Sequence, residues 1–298
     1  MKFRRYRIAP VLLLLVALAT DCRKIENPPL PDNTIDFSAC VTGPSSSTFD
    51  IVSFNAETFP KGGYETVVAM ADLISDMDAD IIAFQEISSE SSFDQLDNLL
   101  VKYTGIFYLI DNSDWNLAFL YKNSEVTINS AETKILFGSD WYAFPRPPFE
   151  IEATHNATGI TAIIINNHLK CCGGTDNEDR RRDASDKLHQ YAEETYPTTP
   201  VVILGDLTDE IDGTTEYSNV FWSFINDPGD FVFADMEIAT GSPSWWSYPS
   251  WPSHIDHIII SDELFDRVDD ISVFKADACY SLYPDIISDH RPLYISLR

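Results

Sequence analysis

The chain has 298 residues, 44% hydrophobic and 22% charged, which is the composition of a packed globular protein and excludes a disordered, collagenous or multi-span membrane chain. Lys and Arg number 20 against 47 Asp and Glu, a formal charge of -27 that repels polyanions and argues against nucleic-acid binding through a broad basic surface. Phosphoester chemistry at one focused site remains open, because a bound metal brings positive charge locally.

The chain starts with a basic segment, Lys2, Arg4, Arg5 and Arg7, followed by the apolar run Ile8–Ala19. That run is shorter than the roughly 20 residues a membrane-spanning helix needs, and it suits a secretory signal. Leu18-Ala19-Thr20-Asp21-Cys22 resembles a bacterial lipoprotein processing site, apart from Asp21, which stands where a small residue is usual. The expectation is export to a bacterial cell envelope, with residues 1–22 as signal and lipid anchor at Cys22. Plain secretion is the alternative. Residues 23–48 carry Pro28, Pro29, Pro31, Pro44 and the run Ser45-Ser46-Ser47, and read as a linker.

From Phe49 onward, strand-like apolar runs alternate with helical patterns. The predicted strands are Phe49–Phe54, Asp80–Phe84, Asn116–Tyr121, Gly159–Asn166, Val201–Leu204, Ile255–Ile260 and Pro292–Leu297. Tyr64, Val67, Val68, Ala71 and Ile74 recur at helical spacing. Phe93–Val101 and Arg180–Glu194 read as further helices, and Arg180-Arg181-Arg182, flanked by acids, as a solvated helix face. Continuous apolar strands call for sheets covered on both sides, so residues 49–298 form one α/β domain. In an oxidising compartment Cys40, Cys171, Cys172 and Cys279 allow three pairings. Cys40–Cys279 is favoured, and the adjacent Cys171 and Cys172 permit a vicinal bridge or separate partners. No C-x2-C pair supports a zinc site.

Polar residues close the apolar runs one after another. Asn55 follows Phe54, Glu86 follows IIAFQ, His168 follows IIINN, and Asp206 follows VVILG. Asp256 precedes HIII, and Asp289-His290 precede the last strand. Any one of them has an ordinary explanation as a turn former or helix cap. Six such placements together point to side chains converging at one end of the sheets. Oxygen donors of this kind favour Mg²⁺, with Mn²⁺ or Ca²⁺ as alternatives, over zinc. A hard cation beside a histidine suits hydrolysis of a phosphoester. No G-x-S-x-G, H-E-x-x-H or Walker loop occurs.

The motifs run in one order: Ser53-Phe54-Asn55, Phe84-Gln85-Glu86, Ala118-Phe119-Leu120-Tyr121-Lys122, Arg146-Pro147-Pro148, Asn167-His168-Leu169-Lys170, Gly205-Asp206-Leu207, His254-Ile255-Asp256-His257 and Ser288-Asp289-His290-Arg291-Pro292. This ordered set resembles the endonuclease/exonuclease/phosphatase superfamily, which includes deoxyribonuclease I-like enzymes. The resemblance implies a four-layer α/β sandwich, two central mixed β-sheets flanked by helices. It also implies a metal held by Asn55, Glu86 and Asp289, and His290 as general base oriented by Asp256. Asp206 would position or activate water or protonate the leaving oxygen, and His168 would contact the phosphate. Tyr121 and Arg146 are candidates for phosphate contact or for packing. The expected activity is an exported metal-dependent phosphodiesterase of nuclease-like type, acting on nucleic acid or on a phospholipid or small phosphodiester. A phosphatase, a phospholipase or a non-catalytic binding protein on the same fold are the alternatives.

Two positions depart from the family pattern. Thr208 stands where the family has the asparagine of G-D-x-N, and offers the phosphate one donor instead of two. Pro147 stands where the nuclease branch has a glutamate that orients the histidine matched by His168. The aromatic segment Ser244–Pro252 is expected at the rim, either packing a loop or stacking on a ligand.

Overall fold

Alternation of side chains along the strands accounts for the layering. In β1 (Phe49–Phe59), Phe49 and Ile51 face one apolar cluster while Val52 and Phe54 face another. In β2 (Ile81–Ile87), Ile81 and Ala83 divide from Ile82 and Phe84 in the same way. Successive strand residues point to opposite faces, so a strand apolar throughout must be covered twice. The computed structural model describes residues 34–110, 113–211, 215 and 218–298. The remaining strands are β3 (Tyr103–Tyr108), β4 (Asn116–Lys122), β5 (Val126–Ile135), β6 (Phe149–His155), β7 (Thr161–His168), β8 (Val201–Asp206), β9 (Phe231–Phe233), β10 (Asp256–Ser261), β11 (Val268–Val273) and β12 (Leu293–Leu297).

They form two six-stranded mixed sheets, ordered β11-β12-β1-β2-β4-β3 and β5-β6-β7-β8-β10-β9. The sheets pack face to face through Phe49, Ile51, Phe119, Ile151, Ile164, Leu204 and Ile258. Helices α1 (Tyr64–Met77) and α2 (Glu90–Leu99) cover the outer face of the first sheet. Helix α3 (Thr175–Thr195) and the short α4 (Trp222–Ile225) cover that of the second. Two further turns of helix, α5 (Met236–Ala239) and α6 (Tyr283–Ile286), sit in the connections. This is the four-layer α/β sandwich expected from sequence.

Each sheet holds one parallel pair joined by a crossover helix: β1 with β2 through α1, and β7 with β8 through α3. Their carboxyl ends point the same way, which sets Asn55 opposite Gln85 and His168 opposite Asp206. Antiparallel pairing of β8 with β10 then sets Asp256 opposite Asp206. Gly205 (φ 143°) is required here, since a Cβ would lie 1.9 Å from the Asn167 carbonyl oxygen.

Two expectations need correction. Residues 34–48 are no free linker: Phe37 and Val41 are buried, and the Ile35 and Phe37 amides donate to Asp72 and Asp76 of α1. Cys40 is bonded to Cys279, the favoured pairing, so the packed unit starts well before Phe49. The arginine run is not solvated either. Arg181 is buried, and Arg180 and Arg182 donate to the carbonyls of Tyr142 and Asn219.

Candidate active site

The carboxyl ends of β1, β2, β7 and β8, with the start of β10 and the turn before β12, gather most of the predicted side chains. Asn55 ends the regular pairing of β1, and its Nδ2 donates to Asp206 Oδ2 at 2.8 Å and to Glu86 Oε1 at 3.3 Å. Glu86 lies where β2 breaks register with β4, and its φ of 60° turns the carboxylate inward. The Thr58 amide donates to Glu86 Oε2 at 3.0 Å. Asp206 is held on both oxygens, by Asn55 and by the Thr208 amide at 2.9 Å. Across from it, His290 Nδ1 pairs with Asp256 Oδ2 at 2.7 Å. The Ser288 hydroxyl donates to the Asn55 carbonyl, which ties the last turn to β1.

Four polar pairs face one another without touching. His168 Nε2 stands 3.6 Å from Asp206 Oδ2 and 3.8 Å from Glu86 Oε1. His290 Nε2 stands 4.0 Å from Asp206 Oδ2 and 3.9 Å from Asp289 Oδ1. These gaps exceed direct hydrogen-bond length and match a shared bridging atom. Two buried atoms here lack a partner among the described residues, His168 Nδ1 and Asp256 Oδ1. An orphaned His168 Nδ1 fits Pro147 in place of an orienting glutamate.

The electrostatics follow from crowding acids in a dry place. Burial raises the Asp206 pKa, and Asp256 and Glu86 add to it against the pull of His290 and Asn55. Burial likewise raises Asp289, with Glu57 and Glu86 adding. Burial opposes charge on His290, but Asp256, Asp206 and Asp289 outweigh it and lift its pKa to about 10. His168 moves the other way: burial pushes it well below the usual histidine value, with the Arg146 and His290 charges adding. The two histidines are thus shifted in opposite directions. Glu86 and Asp289 offer carboxylate oxygens and Asn55 an amide oxygen, which accepts from the Glu57 amide at 2.9 Å. Burial is the first cause that raises Asp206 and Asp289, with neighbouring carboxylates adding. That donor set fits a hard divalent cation.

Not every predicted residue arrives. Tyr121 pairs with Ile81 at the far end of β4, where its ring packs against the inter-sheet core, so it contacts no phosphate at this site. The strand runs antiparallel to β2, which puts Asn116 rather than Tyr121 near Ile87 and the site. Arg146 is buried at the edge of the site. Its Nε donates to the His168 carbonyl at 2.8 Å and its Nη2 to the Leu169 carbonyl, so it holds the turn that carries His168. Thr208, at φ 58°, spends its hydroxyl on the Lys170 carbonyl at 2.9 Å. Cys22 and the signal segment lie outside the described residues.

Other residues were not anticipated. Glu57 (φ 41°) accepts from the Asp289 amide at 2.7 Å and pairs with Lys61. Trp115 packs its ring 6.0 Å from that of His168 and donates to Thr58 Oγ1 at 3.2 Å. Tyr248 covers His290 with its ring 4.9 Å away. The aromatic segment thus divides: Tyr248 packs on the site and Trp246 donates to the Ile238 carbonyl, while Trp245 and Trp251 are 46% and 77% exposed. Only this cluster of aromatics gave a signal in the sequence. Glu57 and Trp115 act through turns whose path no periodicity describes.

The sequence matches the model of the Endonuclease/Exonuclease/phosphatase family over residues 52–290. No curated protein matches the chain. Among solved structures, Danio rerio TDP2 complexed with single-strand DNA product aligns with a TM-score of 0.63 at 13% identity, covering 85% of this chain and 99% of that one. The human Nocturnin catalytic domain with bound sulfate aligns at 0.61 and 15% identity, covering 85% and 94%. An endonuclease/exonuclease/phosphatase from Bacteroides vulgatus aligns at 0.63 and 16%, covering 84% and 98%. At these identities the likeness is one of fold.

Proposed function

We propose, because this chain belongs to the endonuclease/exonuclease/phosphatase family, whose members hydrolyse phosphoester bonds, that it is an exported, Mg²⁺-dependent phosphodiesterase of nuclease-like type, anchored by lipid at Cys22. The observation that carries the reading is a run of facing atoms: Glu86, His168, Asp206, His290 and Asp289 follow one another at 3.6–4.0 Å.

Asn55, Glu86 and Asp289 would hold the cation, which when bound supplies positive charge to the phosphate oxygens. The protein's own groups do the rest. Asp256 fixes the His290 ring with Nδ1 bonded, leaving Nε2 to face the reacting atoms. The carboxylates of Asp256, Asp206 and Asp289 raise the basicity of His290, whose Nε2 in its unprotonated form would take a proton from water. Asp206, with a raised pKa and both oxygens fixed, can position that water or protonate the leaving oxygen. His168, whose charged form burial disfavours, would contact a phosphate oxygen beside the Trp115 ring. Buried donors aimed at one point cost no reorganisation at the moment of reaction.

The test is hydrolysis of bis-p-nitrophenyl phosphate and plasmid DNA with Mg²⁺, Mn²⁺ or Ca²⁺. Activity should vanish with EDTA and return with added metal. Equal background from wild type, His290→Ala and Asp206→Ala in all three metals would refute the reading. The exposed Trp245 and Trp251 favour a second reading, a phospholipase-like activity. It would release headgroup from phospholipid vesicles and leave plasmid DNA intact.

A further inference from the structure

Beside the site lies a pair of thiols that the proposed reaction does not use. Cys171 and Cys172 follow Lys170 directly, in the turn between β7 and α3. Their sulfurs stand 2.8 Å apart, closer than unbonded sulfurs rest and short of the roughly 2.0 Å bond. Cys171 is half-buried and Cys172 exposed, so an oxidant in solution reaches them. Cys172 has a φ of 80°, a left-handed conformation that side chains other than glycine seldom adopt.

What holds this turn also holds the neighbouring one. Buried Arg181 donates from Nη1 to the carbonyls of Lys170 at 2.7 Å and Cys172 at 3.0 Å. Its Nε and Nη2 grip Asp209 Oδ2 at 2.9 and 2.8 Å. Thr208 closes the link by donating to the Lys170 carbonyl. One guanidinium therefore joins the turn after His168 to the turn after Asp206, and a change in the Cys171–Cys172 peptide is felt at both.

We propose that Cys171 and Cys172 form a reversible vicinal disulfide, a redox modification site that resets the Lys170–Cys172 turn and loosens the loop after Asp206. The oxidant is a disulfide of the glutathione class. One thiolate attacks it, forming a mixed disulfide and releasing a first thiol; the second cysteine sulfur then displaces the other. Two S–H bonds and the oxidant's S–S bond break, and one S–S bond forms. Two electrons and two protons end on the two released thiols. Neighbouring Cα atoms are held about 3.8 Å apart, below the roughly 4.4–6.8 Å a relaxed disulfide takes. The bridge is accordingly strained and easily reduced, which suits a switch rather than a staple. Closing the ring pulls the Cys172 carbonyl off Arg181, and Arg181 then holds Asp209 less firmly.

The experiment treats the full chain, with Cys40–Cys279 intact, with oxidised glutathione and afterwards with mild dithiothreitol. The expected result is loss of two thiols with a mass decrease of about 2 Da, both cysteines in one mapped peptide, and reversal by dithiothreitol. Amide exchange across Leu207–Asp209 should quicken at least about threefold in the oxidised form. The Cys171→Ser/Cys172→Ser variant should show neither change. Two thiols that persist, glutathione adducts that go no further, or linked dimers overturn the proposal, as does a bridge that leaves exchange unchanged. Phosphodiesterase turnover is read in the same samples. Its absence in both redox states counts against the functional reading above, and the thiol and exchange results still decide this one.

Discussion

Two clusters of aspartate and histidine sit back to back on consecutive residues of β10. Asp256 faces the site and holds His290, while His257, the next residue, points to the opposite face. There it meets Asp235 Oδ2 through Nδ1 at 2.6 Å and the Asp209 carbonyl through Nε2 at 2.9 Å. His254 Nε2 also reaches Asp235 Oδ2 at 3.0 Å, and the Ser247 amide donates to His254 Nδ1 at 3.2 Å. The Ile258 amide takes Asp235 Oδ1 at 2.9 Å. Every ring nitrogen there has a partner, and both rings converge on the same Asp235 carboxylate oxygen. Both clusters have the residue types of a metal site. Only the one around Asp206 leaves polar atoms facing across gaps with orphaned neighbours. Of these two clusters, the complete network braces structure, and the incomplete one leaves buried groups that a bound ion or substrate would satisfy.

The largest expected effect tests the site side. His290→Ala and Asp206→Ala should each lower kcat by about 10³-fold, with thermal unfolding little changed, since general acid–base groups contribute roughly 10²–10⁴-fold. Steady-state hydrolysis beside a melting curve separates the two quantities. On the other face the pattern should invert. Asp235→Ala leaves His257 buried without its counter-charge and should cost about 3–5 kcal/mol in urea unfolding, while turnover per folded molecule stays within a few fold. If Asp235→Ala abolished turnover without loss of stability, the contrast between the clusters would be wrong.

The pH dependence of this second cluster carries a definite sign. Burial opposes charge on both partners, but the His254 and His257 bonds hold Asp235 below its ordinary 3.8, and Asp235 holds His257 above its ordinary 6.5. A lowered acid stabilises the fold above its unfolded pKa and loses this as pH falls through the folded value. A raised histidine stabilises below its unfolded pKa and loses this as pH rises through the folded value. The stability gap between wild type and Asp235→Asn should therefore be widest between about pH 4 and 6.5 and shrink on either side. Urea titrations at several pH values measure it.

Two smaller effects bear on departures and misplacements. Thr208 occupies a left-handed φ, which asparagine tolerates better than a β-branched residue, and asparagine has two donors. Thr208→Asn should raise kcat several-fold, about 1 kcal/mol in barrier. Tyr121→Phe should leave kcat/KM within about twofold, because the ring sits at the far end of β4. A tenfold loss there would place Tyr121 back in the site.

The sequence carried the central strands and the long helices well, since β1, β2, β4, β7, β8, β10 and β12 are apolar on both faces. The strands it missed are β3, β5, β6, β9 and β11, of which all but β6 are edge strands. β5 is half exposed, β9 has three residues and β11 is half polar, while β6 carries a clear alternation and was missed all the same. Of the site, Asn55, Glu86, His168, Asp206, Asp256, Asp289 and His290 were legible because each directly flanks an apolar run. Tyr121 failed for the complementary reason: a motif does not say which end of its strand is near the chemistry, and antiparallel pairing reversed it.

Residue order alone therefore determined which polar side chains flank the apolar runs and which strands are doubly buried, because burial period and polar punctuation are local properties. Register, strand direction and the hydrogen-bond partner of each buried group are long-range. Only folding could bring Asp256 against His290 and turn His257, one residue on, to Asp235 on the opposite face. The same pairing of distant turns through Arg181 ties the turn that carries Cys171 and Cys172 to the loop after Asp206.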